Sequence, residues 1–396
     1  PPPSIPPTRG GKVYHINFKH FLQITGIVRV FKVNLKKQVT LNLKFIPHSR
    51  PTLGEEEIKA VAAVIESGHI AEGEVVRRFE KAFAAKMGFE HATAVSSGTA
   101  ALHLALMAMG IGPDHEVIIP SYVCSALLHA VQYVGAQPVP AEIDPLTCNI
   151  DPVDVKKRIT ARTGAVIVPH MFGLAADLEP LLKLGVPILE DCAQAVGGTY
   201  HQKPLGSFGE AAIFSFYATK MMATGEGGMV TSKSPEIIAR VRDLKTYDGK
   251  SADRIRYNYK MTDIQAAVGQ IQLMRLDNFV EQRRKIARFY IKHLKSLNIK
   301  LPAGMDEHIY YRFVVRLDDD CDGFIQKLTK RGVGCARPVF LPIHRHLKKD
   351  GYPVTDKVWE TSLSIPIYPS HSSSAIKQII DCFIGEYEKH YGSVDG

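Results

Sequence analysis

Between Glu116 and Ser232 the chain repeats one pattern, a short run rich in Val and Ile followed by a longer stretch with helical spacing. EVIIP is followed by SYVCSALLHAVQYVG. QPVPAEI, GAVIVPHMFG and VPILEDCAQ read as further strands, the last two separated by a Leu-rich helical stretch, and AAIFSFY and GGMVTS close the series. AVSSGTAALHLALMAMG opens it as a short strand, a Ser/Gly/Thr turn and a helix ending at Gly110. Near-continuous apolar strands alternating with helices cannot be satisfied by a half-exposed antiparallel sheet. They require a mostly parallel sheet with both faces covered, an α/β fold.

The flanks are different. RPTLGEEEIKAVAAVIESG is expected to form a loop and then a helix. Leu53, Ile58, Val61, Ala62 and Ile65 lie at helical spacing, and Glu55 to Glu57 sit in the first turn, where they suit the helix dipole. DIQAAVGQIQLMRLDNFVEQRRKIARFYIKHLKSL is a long helical tract leading out of the sheet region. After it come strand-like YRFVVRL, a helix over DGFIQKLTKRG and a last helix over AIKQIIDCFIGEYEKHY. The expected organisation is a basic N-terminal extension over 1–45, a large domain over 46–285 whose N-terminal segment contacts the small domain, and a small C-terminal α/β domain over 286–396.

Charge excludes one class of function. The net charge is +9, but residues 1–47 hold eight Lys or Arg and no Asp or Glu, leaving 41 basic against 40 acidic residues in the rest. The basicity belongs to the leader, so the body does not read as a nucleic-acid binder. The leader lacks the apolar core and cleavage site of a secretory signal. It reads as a non-native or upstream-translated extension, or as an appended strand or arm. No apolar run reaches the ~18 residues of a membrane span. The six cysteines are scattered without a C-x-x-C pair, which argues against a zinc or disulfide framework and suits a reducing cytoplasm. No metal site is expected.

Three features carry chemistry. Lys220 stands alone between an apolar run and a Gly-rich turn in FSFYATKMMATGEGGMV. By position it is either a strand-end lysine reaching for water or an amine held in a cleft, where desolvation favours the neutral, nucleophilic form. Asp191 ends the strand in VPILEDCAQ, at the edge where parallel sheets bind ligands. It either caps the following helix or pairs with a cation such as a pyridinium nitrogen. In SSGTAAL, Ser97, Gly98 and Thr99 either cap an ordinary helix or offer its N-terminus to a phosphate. Together the three supply the parts that a pyridoxal phosphate enzyme needs: a phosphate cradle, an acid at a strand end and an amine about thirty residues beyond it.

With those parts in place, the chain resembles the DegT/StrS-type sugar aminotransferases, which have the aspartate-aminotransferase fold (fold type I). The resemblance is carried by VSSGTAALHLAL, GPDHEVIIPSY, VPHMFGLAADL, ILEDCAQAVGGTYHQKPLGSFG, FSFYATKMMATGEGGMV, YNYKMTDIQAAVGQIQL and CARPVFLPIHRH, and it covers the chain from about Ile46 onward. It implies a mostly parallel seven-stranded sheet between helices and pyridoxal 5'-phosphate as cofactor. It also implies that Lys220 forms the Schiff base, that Asp191 pairs with the pyridine nitrogen, and that Gln194 lies near the ring hydroxyl. Ser97, Gly98, Thr99 and Ser215 would hold the phosphate, and Asn258 would reach it from the other subunit of a homodimer. His170, Arg337 and His344, with Arg345, are substrate candidates, though each reads equally as a structural or surface residue. Many relatives carry an aromatic ring stacked on the cofactor where this chain has Cys124, so that contact is missing, replaced by a thiol or supplied by Tyr122.

The reaction implied moves nitrogen from an amino acid, glutamate by resemblance, to a keto-sugar carried on a nucleoside diphosphate, in polysaccharide or related biosynthesis. Two alternatives stay open: a regulatory protein that binds the cofactor without turnover, and a sugar dehydratase. The dehydratases carry histidine where this chain has Lys220, which argues against that class.

Overall fold

In the computed structural model the described residues are 45–304 and 306–392. The basic extension expected over 1–45 therefore falls outside them, apart from its last residue. In chain order come α1 (Glu55–Ser67), α2 (Glu74–Met87), β1 (His91–Val95), α3 (Gly98–Ala108), β2 (Glu116–Pro120), α4 (Ala126–Tyr133), β3 (Gln137–Ala141), α5 (Pro152–Arg158) and β4 (Thr163–Pro169). A single 3-10 turn (Met171–Gly173) precedes α6 (Leu178–Leu182), β5 (Ile188–Asp191), the small hairpin β6 (Thr199–Tyr200) and β7 (Lys203–Pro204), β8 (Ala211–Ser215), β9 (Gly228–Ser232) and α7 (Pro235–Leu244). The long α8 (Asp263–Leu294) leads to β10 (Phe313–Arg316), α9 (Asp322–Lys330), α10 (Ile343–His346), α11 (Pro353–Thr361), β11 (Ser362–Ile365) and α12 (Ser373–Tyr391).

The apolar runs form the sheet their alternation requires. Seven strands pair in the order β1-β9-β8-β5-β4-β2-β3. β3, β2, β4, β5 and β8 are mutually parallel, and only β9 runs against its neighbours β8 and β1. One face buries Leu104, Val117, Ile119 and Leu127 beneath α3, α4 and α7. The other buries Phe79, Phe83, Val166, Val168 and Phe214 beneath α2 and α8. Residues of β2, β5, β8 and β9 are buried throughout, as expected of strands covered on both sides.

α8 joins two cores. Thr262 caps it, accepting the Gln265 amide while Gln265 reaches back to the Thr262 amide, a reciprocal box that fixes where the helix starts. Its first half contributes Leu273, Leu276 and Val280 to the core beneath the sheet. Its second half contributes Ile286, Ala287, Tyr290 and Leu294 to a separate cluster with Phe313, Phe324 and Phe383. Ile46 belongs to that second cluster and pairs with Val333 in a parallel bridge, tying the first described residues to the C-terminal part.

Three expectations change on inspection. The apolar positions of α1 do not face inward: Leu53, Ile58 and Ile65 are 55%, 69% and 59% exposed. The inward side carries Glu57 and Val64, because the Glu57 carboxylate accepts hydrogen bonds from the Gly54 amide (2.8 Å), Gln272 (2.7 Å) and Arg275 (2.7 Å). These bonds to α8 set the rotation of α1. The helix expected over SYVCSALLHAVQYVG begins only at Ala126. Ser121 instead donates its amide to Ala141 and accepts the Ile343 amide at its carbonyl, holding 121–125 as a loop. Tyr311 and Arg312 likewise precede β10.

Candidate active site

The carboxyl ends of β1, β2, β5 and β8 open onto a cleft of about 210 Å³. Ser97, Gly98, Thr99, Cys124, Asp191, Ser215 and Lys220 all line it, brought together from positions up to 123 residues apart. Leu102, Ala126, Leu127, Ala193, Ile213, Tyr217 and Glu226 complete the wall. The topology accounts for the convergence, since parallel strands deliver their following loops to one edge.

One end of the cleft is formed by a helix start. Ser97 is the N-cap of α3, its hydroxyl accepting the Ala100 amide at 3.0 Å. A helix start leaves its first amides without intrahelical acceptors and carries positive dipole charge. β9 lies across this point, with Gly228 paired to both Val95 and Ser215. A Cβ on Gly98 would stand 2.7 Å from the Ser215 Cβ and 3.0 Å from its Oγ. Glycine is what lets the helix start and the Ser215 hydroxyl share one small space.

Asp191 stands at the middle of the edge. It is 6% exposed, and its Oδ1 accepts the Ala193 amide at 2.9 Å. Burial pushes its carboxyl above the usual range, against the pull of that amide, Lys220 and His170. Such a group is stabilised as an anion by any cation placed beside it.

Lys220 sits in the connection between β8 and β9. Its amide donates to the Tyr217 carbonyl at 2.8 Å, and Ala218 donates to Gly225 at 3.0 Å, closing a compact turn. Gly225 adopts φ +85°, a conformation that favours glycine, so the Gly-rich text after the lysine has a conformational purpose. The lysine is half-buried. Amine, acid and helix N-terminus thus line a single cleft, an arrangement able to hold an anionic, electron-poor ring and move a proton beside it.

Other expected residues lie elsewhere. His170 is fully buried behind the strand ends. Its Nδ1 accepts the Ala176 amide (3.1 Å), so its Nε2 carries the proton and donates to Glu190 (3.1 Å). Glu190 also accepts the amides of Gly206, Phe208 and Gly209. Burial works to raise its carboxyl, but His170 and these amides outweigh that and hold it low. With Cys192 this pair has ligand atoms close enough for a metal, yet both ring nitrogens are already committed, which leaves no imidazole lone pair to donate. Gln194 accepts the Phe172 amide at 2.9 Å and does not line the cleft.

The substrate candidates of the tail are also committed. Arg337 bonds Asp320 and Asp322 at 2.7 Å each and the Trp359 carbonyl. His344 is 3% exposed, between Ser121 Oγ (2.6 Å) and Asp356 (3.1 Å), and Arg345 binds Asp356 and Glu360. These contacts fasten α10 and α11 to one another and to the end of β2, and none of the three lines the cleft. Tyr122 is wholly buried, edge-on to Phe172 at 6.3 Å, and supplies no stacking surface. Cys124 is exposed in the cleft wall instead. Asn258 is exposed, follows Tyr257 and precedes Tyr259, whose rings stack on each other, and does not line its own cleft. Sequence reading missed Tyr311, whose ring lies beside Lys220. Its only signal was an aromatic next to an arginine ahead of a strand.

The fold and this edge of the sheet define a fold-type I, pyridoxal phosphate-dependent aminotransferase. The model of the DegT/DnrJ/EryC1/StrS aminotransferase family matches residues 51–384, and the chain belongs to that family. It is 38% identical over 372 residues to the spore coat polysaccharide biosynthesis protein SpsC of Bacillus subtilis (strain 168), covering 85% of this chain and 96% of that one. It is 36% identical over 331 residues to GDP-perosamine synthase of Caulobacter vibrioides (strain ATCC 19089 / CIP 103742 / CB 15), covering 78% and 89% respectively. Among solved structures, the aminotransferase TlmJ of Streptoalloteichus hindustanus superposes with a TM-score of 0.84 at 30% identity, covering 87% of this chain and 99% of that one. The PLP-form of the putative sugar aminotransferase Spr1654 of Streptococcus pneumoniae superposes with a TM-score of 0.82 at 26% identity, covering 87% and 99%.

Proposed function

We propose that this chain transfers the amino group of an amino acid, glutamate, to the keto carbon of a nucleotide-linked sugar. The observation that carries the proposal is the meeting of the α3 N-terminus, Ser215, Asp191 and Lys220 in one cleft of about 210 Å³. The kinship with GDP-perosamine synthases and with a polysaccharide biosynthesis protein supports the choice of acceptor.

Pyridoxal phosphate fits the residues present. The close approach of Gly98 to Ser215 makes a small anion cradle with Ser97 and Thr99, and Asp191 is a desolvated acid short of a cation. When bound, the cofactor supplies an electron-withdrawing ring that makes an adjacent C–H acidic. The chain does the rest. The cradle fixes the phosphate by backbone amides and hydroxyls, and thereby the register of the ring. Asp191, if ionised, would hold a proton on a ring nitrogen placed beside it. Lys220 Nζ would be the base that takes the donor's α-proton and the acid that returns it. Leu102, Leu127 and Ile213 line the cleft with apolar surface that excludes water from the site.

A second copy of the chain completes this reading. Asn258 is exposed and does not line its own cleft, so we assign it to the phosphate of the other subunit in a homodimer. We read residues 46–285 as the large domain that carries the cleft and 286–396 as a smaller C-terminal domain, with the boundary within α8. Six free thiols suit a reducing cytoplasm. Among the described residues no helix is long and apolar enough to cross a membrane.

The test has two stages. Glutamate added to the cofactor-loaded protein bleaches its visible band, and a panel of nucleotide-linked keto-sugars then yields an aminated product detected by mass. A band unmoved by glutamate and every other amino donor would leave a protein that binds the cofactor without turnover.

A further inference from the structure

Lys220 has a neighbour outside the cleft. Its Nζ stands 5.1 Å from the centre of the Tyr311 ring. Tyr311 is 6% exposed, and its backbone is strapped in place from both sides. Ile309 donates to the Gly173 carbonyl at 3.0 Å, Arg312 to Phe172 at 3.4 Å, and the Arg283 guanidinium of α8 donates to the Tyr311 carbonyl at 3.2 Å. The strap has no slack at Gly173, where a Cβ would fall 2.7 Å from Ile309 and 3.0 Å from the Tyr311 nitrogen. The ring is fixed at its far end too. Its hydroxyl lies 3.3 Å from the Oγ1 of Thr219, the residue before the lysine, and accepts from Arg312 Nη2 at 3.4 Å. Arg312 is held in turn by His48 at 2.9 Å.

We propose that Tyr311 is a positioning residue for Lys220: its ring face receives the ε-amine whenever that amine is not bonded to the cofactor, holding the charge near the cleft without trapping it in an ion pair. The proposal rests on the reading of Lys220 as the cofactor lysine. A lysine released into a partly dehydrated site needs a partner for its ammonium. A carboxylate would bind it tightly and oppose its loss of a proton. A π face attracts the cation but holds the neutral amine far less, so the contact loosens when the amine must act as a base.

The charges around the ring support this. Burial alone would raise the Tyr311 phenol, but Lys220 first and then Arg312, with the hydrogen bonds from Thr219 and Arg312, outweigh it and hold the phenol at about 8. Near neutral pH the ring therefore keeps its proton. Asp191, Cys124 and Glu226 face the amine from the cleft side, and Arg50 and Arg283 share the small space behind it. Tyr217 and Phe279 line the same two spaces, and the ring face that lies over the amine is that of Tyr311.

The experiment uses the rate at which cofactor-free protein gains visible absorption on mixing with pyridoxal phosphate, measured against pH. Only the neutral amine adds to the aldehyde, so the midpoint of the profile reports the free amine. Tyr311→Phe keeps the ring and, below about pH 8, where the phenol holds its proton, keeps the profile. Fluorinated phenylalanines at 311 keep the shape but weaken the ring's negative face, and they lower the midpoint stepwise, by about half a pH unit or more for the fully fluorinated ring. Tyr311→Leu lowers it as well. A midpoint indifferent to fluorination overturns the proposal, as does an equal shift in Tyr311→Phe and Tyr311→Leu, which would assign the effect to the hydroxyl. Lys220→Ala abolishes the absorption change in every background. If it does not, it is the reading of Lys220 that fails, whatever the Tyr311 series shows.

Discussion

Lys220 and Asp191 show how little a residue's identity says before its surroundings are known. As letters, one is a lysine near a turn and the other an acid at a strand end. As placed, one is a half-buried amine and the other a desolvated carboxyl with a single amide donor at 2.9 Å. Lys220→Ala is expected to fold, since the side chain fills no core position, and to lose the visible band of bound cofactor after dialysis. Retention of that band would remove the lysine from the site. Asp191→Asn keeps shape and cofactor but no longer holds a proton on a ring nitrogen. Turnover is expected to fall by on the order of 10²-fold or more, with cofactor affinity much less changed. Near-normal steady-state rates in this variant would rule out the electrostatic role. The motif text pointed to both residues because the roles proposed for them need specific atoms. His170, Arg337 and His344 looked equally eligible as letters, but their atoms are spent on Glu190, on Asp320 and Asp322, and on Ser121 and Asp356. Which polar groups remain free is a property of packing, invisible in the chain's order.

At the scale of elements, the α3 N-terminus is the piece whose proposed function depends most on close approach. Gly98→Ala would put a methyl 2.7 Å from the Ser215 Cβ, too near for both to stay. Either the hydroxyl or the helix start must shift, and the anion cradle with it. Cofactor affinity is expected to weaken about tenfold or more, read as a dissociation constant from cofactor fluorescence, while the thermal midpoint of the cofactor-free protein changes little. An unchanged dissociation constant would mean that this helix end does not hold the phosphate. Most elements were legible from their periodicity: the sheet strands, the long α8 and the last helix fall where the pattern places them. α1 was legible as a helix and not as an orientation. Its apolar spacing pointed to one face, but Glu57 bonds Gln272 and Arg275 and turns Ile58 and Ile65 outward. A partner 215 residues away in sequence decided that, and no local pattern reports it.

For the whole molecule, the second core carries an acid-sensitive set. His48 and His308 are both held at about 3 by burial, aided by the charges of Arg312 and Arg284 respectively, and His371 at about 4 by burial with Arg283. His308 Nδ1 accepts the Tyr310 amide at 2.9 Å, which is a bond of the neutral ring. These folded values lie below that of an unfolded histidine, about 6.5. The stability linked to them is thus present above pH 6.5 and is lost as pH falls from there through the folded values near 4 and 3. Each contributes a slope of up to ~1.4 kcal/mol per pH unit inside that window. Thermal midpoints should drop steadily from pH 6.5 to 4.5, and His308→Gln should flatten that limb. A parallel slope in the variant would place the acid lability elsewhere. Assembly offers a further check. If Asn258 serves the other subunit's site, inactive Lys220→Ala and Asn258→Ala chains, mixed and reassembled, should recover about a quarter of the wild-type rate, because half of the pairs are hybrids with one intact site in two. No recovery would confine Asn258 to its own chain.

The sequence by itself determined the alternation of strands and helices, hence a covered, mostly parallel sheet, and it marked the Ser97–Thr99 turn, Asp191 and Lys220 as candidates for the site. These are local properties, written in spacing and side-chain type. Only the tertiary structure decided which polar groups are spent on neighbours, which face of α1 is buried, that Cys124 and not Tyr122 borders the cleft, and that the Tyr311 ring lies beneath the Lys220 amine. Those are contacts between segments far apart in the chain. They follow from how the whole core closes, and from no stretch of it taken alone.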